Sequence, residues 1–314
     1  MAAYGFEEAS GTTVVDASRY ANHGTISGAT RISGGRFGKA TKFDGVNDWI
    51  TVNDSASLDL TTGMTLEAWV YPTIWMSDWT AVIMKEQPGQ QVYALYGNSD
   101  RNQPTTVLWV NGGERLASGV TQLPPNQWTH LAATYDGQYQ SVYVNGTQVA
   151  MQAQTGAILT SDSPLRIGGD AVWGEYFTGY IDEVRIYNRA LTQAQIVADA
   201  NSPVVTLMYS TSSNRSNAKP LNGAVVTGYI YPFTTPDSNV KVQKVEFWLD
   251  NPNPDNPTDP PKRTESAAPY DYAGGTSSTA TRVSFAKGQH TITARYTMID
   301  GTVGPFVTAT FTRQ

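Results

Sequence analysis

Cysteine is absent from all 314 residues. That excludes disulfides and thiolate zinc sites, yet it leaves the compartment open, because many exported bacterial proteins also lack cysteine. Charge is scarce as well: 15% of the residues are Asp, Glu, Lys or Arg, and the formal net charge is -6. No segment gathers Lys and Arg into a stripe able to neutralise several phosphates, which argues against nucleic acid as a partner. No run approaches the roughly 18 apolar residues that a membrane helix needs, so no membrane span is expected. The three histidines, His23, His130 and His290, fall in unrelated segments without metal-ligand spacing, which argues against zinc or another transition metal. A secretory leader is missing too, since Met1, Ala2, Ala3 and Tyr4 run straight into a strand-like segment.

What is abundant instead is Gly, Thr, Ser, Asn and aromatic residues, a balance that favours turn-rich β structure over helical bundles. The fold class is read as all-β. The length suits two domains, each able to bury a core without covalent staples. Strand patterns with turn residues every ten or so positions cover 49–52, 64–71, 107–110, 128–135, 141–144, 165–167 and 180–187. Over 64–71, period two puts Leu66, Ala68 and Val70 on one face and Glu67, Trp69 and Tyr71 on the other, so both faces carry bulk. Asn111-Gly112 and Asn145-Gly146 suit the positive φ angles of a type I′ hairpin. One helix is expected over 192–200, where Thr192 and Gln195 make a capping box and Leu191 can staple onto Ile196.

Asn201, Ser202 and Pro203 break that helix, which places the domain boundary between 1–201 and 202–314. The second part shows strand patterns over 204–209, 225–231, 240–250, 280–285, 290–298 and 306–311. In the fifth of these, Ile292, Ala294, Tyr296 and Met298 have the period of one buried face. A proline-rich stretch over 251–261 is expected to be an exposed, semi-rigid surface loop.

Family resemblance sharpens this reading. The segment from Tyr4 through Asp16 to Ser18, followed by Asn22-His23-Gly24, resembles the opening strand and turn of laminin-G-like, concanavalin A-like jelly rolls. Phe43-Asp44-Gly45, the motif from Gln127 to Gly137, Tyr143-Val144-Asn145-Gly146 and the closing stretch from Gly179 to Leu191 are similar to later motifs of that family. Arg19-Tyr20-Ala21 departs from the Gly-Asn-Gly usual in relatives, which makes that turn bulkier. The second part resembles bacterial immunoglobulin-like modules, through the strand from Val245 to Asp250 and the strand from Gly288 to Ala294. The resemblance implies a jelly roll followed by an immunoglobulin-like spacer, cut from a secreted or cell-surface multimodular protein of bacterial type with neighbouring modules. The missing leader fits an excised piece with an added initiator Met.

Many laminin-G-like jelly rolls hold a structural calcium ion where the opening loop meets the closing strand. The resemblance places Asp16 and Asp182 there, with Asn22 and a carbonyl near Gly24 as further ligands. The alternative is that Asp16 caps its own turn and Asp182 pairs with Arg185 or Arg189.

Eight tryptophans are present. Trp49, Trp69 and Trp128 sit on family motifs and are read as packing residues, and Trp248 belongs to the second part. Trp75, Trp79 and Trp173 fall in loops, where exposed rings are costly unless they bind something, and sugar rings stack on such faces. The expected platform is Trp75, Trp79, Trp173 and Tyr176, with Tyr96, Trp109, Lys85, Arg101 and Asp170 as neighbours and a polysaccharide or other glycan as ligand. No run of the E-x-D-x-x-E kind used by concanavalin A-like glucanases is present, and Asp182 and Glu183 should point to opposite sheet faces. Non-catalytic glycan binding is therefore the leading expectation. An adhesion or scaffolding module that contacts protein is the second, and a glycan-cleaving enzyme, with Asp100, Asp170 and Glu175 meeting in a groove, the third.

Overall fold

The computed structural model describes residues 1–236, 242–251, 254, 256 and 259–314. The chain divides into two compact units, Met1–Asn201 and Ser202–Gln314. The first is a sandwich of two eight-stranded sheets. In spatial order, one sheet runs Thr147–Ala153, Tyr139–Val144, Thr129–Tyr135, Met64–Pro72, Thr178–Tyr187, Ala40–Asp44 and Thr30–Ile32, with Ala2–Tyr4 also pairing on Thr178–Tyr187. The other runs Gly113–Ser118, Thr105–Val110, Gln90–Asn98, Thr80–Gln87, Leu165–Ile167, Trp49–Val52, Gly24–Ser27 and Thr13–Val14.

Alternation drives the packing. Leu66, Ala68 and Val70 from the first sheet meet Tyr93, Leu95 and Leu108 from the second in one dry core. Glu67 and Trp69, on the opposite face of their strand, are buried as well. That outer face lies beside the Gln193–Ala200 helix, and the Trp69 indole N–H donates to the Ala200 carbonyl at 3.1 Å. The helix begins as its sequence directs: the Thr192 side chain accepts from the Gln195 N–H, the Gln195 side chain accepts in return, and Leu191 and Ile196 share a buried cluster. Both Asn-Gly turns take two positive φ angles, 53° and 74° at Asn111 and Gly112 and 50° and 76° at Asn145 and Gly146, as a type I′ hairpin requires.

One expectation about alternation fails. A bulge between Asp182 and Arg185 puts Glu183 at φ 55°, so the regular in-and-out pattern is broken there. Glu183 takes the Arg185 guanidinium at 3.0 Å, while Asp182 accepts the backbone N–H groups of Phe37 and Glu183 at 3.1 and 2.8 Å.

The second unit holds a three-stranded sheet, Lys219–Pro220, Thr206–Ser210 and Tyr231–Thr235, and a five-stranded one, Val225–Val226, Val307–Arg313, Gly288–Met298, Val242–Leu249 and Arg263–Glu265. Ile292, Ala294, Tyr296 and Met298 are all buried, as their period implies. The strand expected over 225–231 breaks into two, with Gly228 at φ 68° between them, and 280–285 makes only isolated bridges, Ile230 with Val283 and Gly275 with Ala280. Residues 240 and 241 of one expected strand, and 252, 253, 255, 257 and 258 of the proline-rich loop, lie outside the described residues. Among the described residues no helix is long and apolar enough to cross a membrane.

Candidate functional site

Register on the second sheet assembles an apolar patch on its outer face. Ala81 lies opposite Tyr96, Met84 opposite Ala94, and Ala94 opposite Val107, so these five side chains share the face turned away from the main core. Trp79 packs onto them and meets the Tyr96 ring edge to face at 4.8 Å. Further along, Val107 faces Leu116 and Trp109 faces Glu114, which places all four on the same surface. Ala81 and Ala94 are fully buried beneath the Trp79 and Tyr96 rings, and Tyr96 and Val107 form the base of a hollow above them.

The loop between the Leu165–Ile167 and Thr178–Tyr187 strands closes over this hollow. Its organiser is Asp170, which is fully buried. One Asp170 carboxylate oxygen accepts the N–H groups of Val172, Trp173 and Gly174 at 2.9, 2.7 and 3.3 Å, and the other accepts that of Glu175 at 3.1 Å. Glu86 fixes the start of the loop by accepting the Ala171 N–H at 2.7 Å, and is itself paired with Arg166 at 3.3 Å. Gly168 must stay glycine, because its φ is 83° and a Cβ would come within 2.2 Å of the Phe43 ring. Held this way, Trp173 keeps 47% of its surface exposed. A cavity of about 360 Å³ results, lined by Trp79, Gln91, Tyr96, Val107, Glu114, Trp173 and Glu175. That is the size of a small-molecule site with aromatic walls and a few polar groups. Gln91 is oriented by donating to Glu114 at 3.0 Å.

The electrostatics are one-sided. Two carboxyl side chains and, among the described residues, no Lys or Arg line the cavity. Burial first, then the charge of Asp170, push the Glu175 carboxyl up from an ordinary 4.5 to about 7; a Tyr96 hydrogen bond opposes the shift, and Asp78 adds to it. The folded protein therefore keeps a proton on Glu175 that the unfolded chain has already lost. Its contribution to stability is complete below about pH 4.5 and fades as the pH rises to about 7. Glu175→Gln cannot ionise, so its Tm is expected to fall less than the parent's between pH 5 and 8. Scanning calorimetry across that range checks this, and parallel curves would contradict it.

The structure brings three of the expected ligand residues into the cavity: Trp79, Trp173 and Tyr96. Trp109 shares the face beyond the lining, and Arg101 lines a neighbouring depression with Trp79. Trp75 is 60% exposed but stands outside both linings. Tyr176 turns away and stacks on Trp49 at 5.8 Å, with Arg166 over the same indole at 4.4 Å. Two expected neighbours are corrected by burial. Lys85 is fully buried, its ammonium tied to Asp54 and to the Ser163 carbonyl, and Asp170 spends both oxygens on its own loop. Neither side chain can reach a ligand. Gln91 and Glu114 join the site instead, brought together by strand register, and of the expected acidic groove only Glu175 lines this cavity, Asp100 lying in the neighbouring depression.

The expected calcium ligands do not assemble. Asp16 accepts the N–H groups of Ala3 and Ser18 at 2.9 and 2.8 Å with one oxygen, and the Asn22 N–H at 2.8 Å and the Ser18 hydroxyl at 2.7 Å with the other. The Asn22 carbonyl takes the Tyr4 hydroxyl at 2.6 Å, and its amide donates to Met1 O and Ser57 Oγ at 3.0 and 2.8 Å. Gly24 is a strand residue opposite Val14 and Val52. Asp182 is occupied by Phe37 and Glu183. Carboxylates surrounded by N–H and O–H donors are satisfied without a cation, so these residues do not fit a calcium ion shared between Asp16 and Asp182. Asp16 instead closes its own turn, the alternative to calcium, and Arg185 pairs with Glu183. Among the described residues no group of three or more His, Cys, Asp or Glu side chains could hold a metal.

Residues 44–197 match the Laminin_G_3 family model, described as the concanavalin A-like lectin/glucanases superfamily. Over 79 residues the chain is 42% identical to pappalysin-1 of Mus musculus and 40% identical to that of Homo sapiens, a stretch that is 24% of this chain and 5% of either relative. The binding domain of Paraclostridial Mosquitocidal Protein 1 superposes with a TM-score of 0.52 at 15% identity, covering 95% of this chain and 75% of that one. Domain 4 of AbnA, a GH43 extracellular arabinanase from Geobacillus stearothermophilus solved with arabinotriose, gives a TM-score of 0.46 at 23% identity over 63% of this chain and 97% of its own. Trypanosoma rangeli sialidase gives 0.48 at 18% identity, over 62% of this chain and 31% of its own. The match to the concanavalin A-like model thus falls within the first unit, whose two eight-stranded sheets form an all-β sandwich.

Proposed function

We propose that this jelly roll binds a polysaccharide without cleaving it, holding sugar rings against Trp79 and Trp173 while Gln91, Glu114 and Glu175 bond to hydroxyls. One observation carries the reading: two indoles and three polar side chains converge on one cavity, with Tyr96 and Val107 as its other lining residues. Indole faces take the apolar side of a pyranose, and the carboxyl and amide groups take its rim.

Binding is favoured over cleavage by the state of the acids. Glycoside hydrolysis needs two carboxyls facing each other roughly 5 to 10 Å apart across the scissile bond. Glu175 faces the cavity, but its neighbour Asp170 is sealed behind the loop by its four N–H contacts. Glu114 is exposed to solvent, without the burial that holds a proton on Glu175. A scaffold that contacts only protein predicts the loop indoles buried, whereas Trp173 keeps 47% of its surface exposed. The second unit is read as an immunoglobulin-like spacer in a larger exported or cell-surface protein, in which neighbouring modules add avidity to a modest single site.

The test is native gel electrophoresis in the presence of neutral soluble polysaccharides, paired with an assay for released reducing ends. Retarded migration on at least one polymer with no new reducing ends supports the reading. Unretarded migration on the whole panel would overturn it in favour of a protein-binding scaffold, and release of reducing ends would show an enzyme.

A further inference from the structure

The cavity does not stand alone. A second depression, of about 570 Å³, shares Trp79 with it and is lined also by Asp100, Arg101, Leu116 and Met151. The two adjoin along the sheet as well. Val107, in the first lining, lies directly opposite Leu116, in the second. Glu114 and Leu116 are two residues apart on one strand, so they point the same way about 7 Å apart. The second depression sits where the edge strands of both sheets come together, Gly113–Ser118 from one and Thr147–Ala153 from the other. It offers exposed apolar surface from Leu116 and Met151, which are 42% and 61% accessible, beside the donor Arg101 and the acceptor Asp100. Such a trough mixes flat apolar contact with both kinds of hydrogen-bonding partner, as the first cavity does.

We infer that the ligand is the interior of a linear, uncharged polysaccharide several units long, lying across Trp79 with one part against Trp173 and another in the Leu116–Met151 trough. This rests on the glycan-binding reading above and deepens it. A terminal sugar would need a pocket closed at one end, whereas here the indole that bounds one depression also bounds the next. Uronate-bearing chains are disfavoured, because the first cavity presents Glu114, joined by the Glu175 charge only as the pH passes about 7, with no lining base among the described residues. Chains linked β-1,4 are the best match, since their extended ribbon shows apolar ring faces over several consecutive units.

Isothermal calorimetry with cello-, xylo- and manno-oligosaccharides of two and of six units tests this. The expected result is a hexasaccharide bound at least about tenfold more tightly than the disaccharide of the same series. In the Leu116→Ala, Met151→Ala double variant, the hexasaccharide's advantage over the disaccharide should be lost. Both side chains are exposed, so the variant should fold, and its unchanged melting curve verifies that. Equal affinity at both lengths, or a double variant that weakens both alike, overturns the extended site and leaves glycan binding standing. Equal affinity for an oligogalacturonate of six units overturns the uncharged assignment. Absence of binding in every series removes both readings.

Discussion

Trp173→Ala is expected to lower affinity for a neutral polysaccharide by roughly 10- to 100-fold with Tm changed by no more than about 2 °C. The magnitude follows from area. A ring stacked on the indole hides on the order of 100 Å² of apolar surface, worth about 2.5 kcal/mol, which is roughly 70-fold. The small effect on stability follows from exposure, because 47% of the side chain already faces solvent and its position is set by backbone N–H bonds to Asp170. Trp79→Ala cannot separate the two effects, since that ring also packs on Ala81, Met84, Ala94, Tyr96 and Val107. Trp75→Ala is the matched control: its ring is exposed but outside the cavity, and affinity should not change. Calorimetric titration of the three variants, with melting curves, decides the matter. Undiminished affinity in Trp173→Ala would place the ligand elsewhere.

Local chemistry in the sequence was enough for the features that depend on a few consecutive residues. The capping box at Thr192 and Gln195, the two Asn-Gly hairpins and the buried set Ile292, Ala294, Tyr296 and Met298 all follow from spacing alone. Strand breaks were harder. Nothing in the apolar pattern of 225–231 outweighs what Gly228 does at φ 68°, and a bulge at Glu183 defeats period two by adding one residue.

The site was half legible for a similar reason. An aromatic in a loop can be picked out, but which way it turns depends on partners far away in the chain. Tyr176, three residues from Trp173, is drawn to Trp49 while Trp173 stays open. Lys85 is expected beside the ligand, yet its Nζ finds Asp54 and the Ser163 carbonyl and the residue is fully buried. Gln91 and Glu114 carry no local signal, and Glu175 is expected only beside Asp100 and Asp170 in a cleaving groove, because these three meet through the pairing of three strands and the fold of one loop.

Asp170→Ala is expected to damage both the fold and the site. The carboxylate lies inside the protein and gathers four consecutive loop N–H groups. Each bond to a charged acceptor is worth about 1.5–3 kcal/mol, but the loop can release some N–H groups to water, so the net loss should be nearer 3 kcal/mol than the sum. For a unit of this size that lowers Tm by roughly 6–12 °C. Affinity should become undetectable, because Trp173 and Glu175 hang on the same loop. Asp170→Asn should fall between parent and alanine variant: one oxygen can still accept from Val172, Trp173 and Gly174, while an amide NH2 replaces the acceptor for Glu175. Loss of the Asp170 charge also removes the second-largest influence holding the Glu175 carboxyl high. In Asp170→Asn the decline of Tm with pH should therefore shift toward lower pH, a change that a purely steric defect would not cause. An alanine variant that melts and binds like the parent would mean that the loop is held by something other than this carboxylate, and the site would then have to be rebuilt from different contacts.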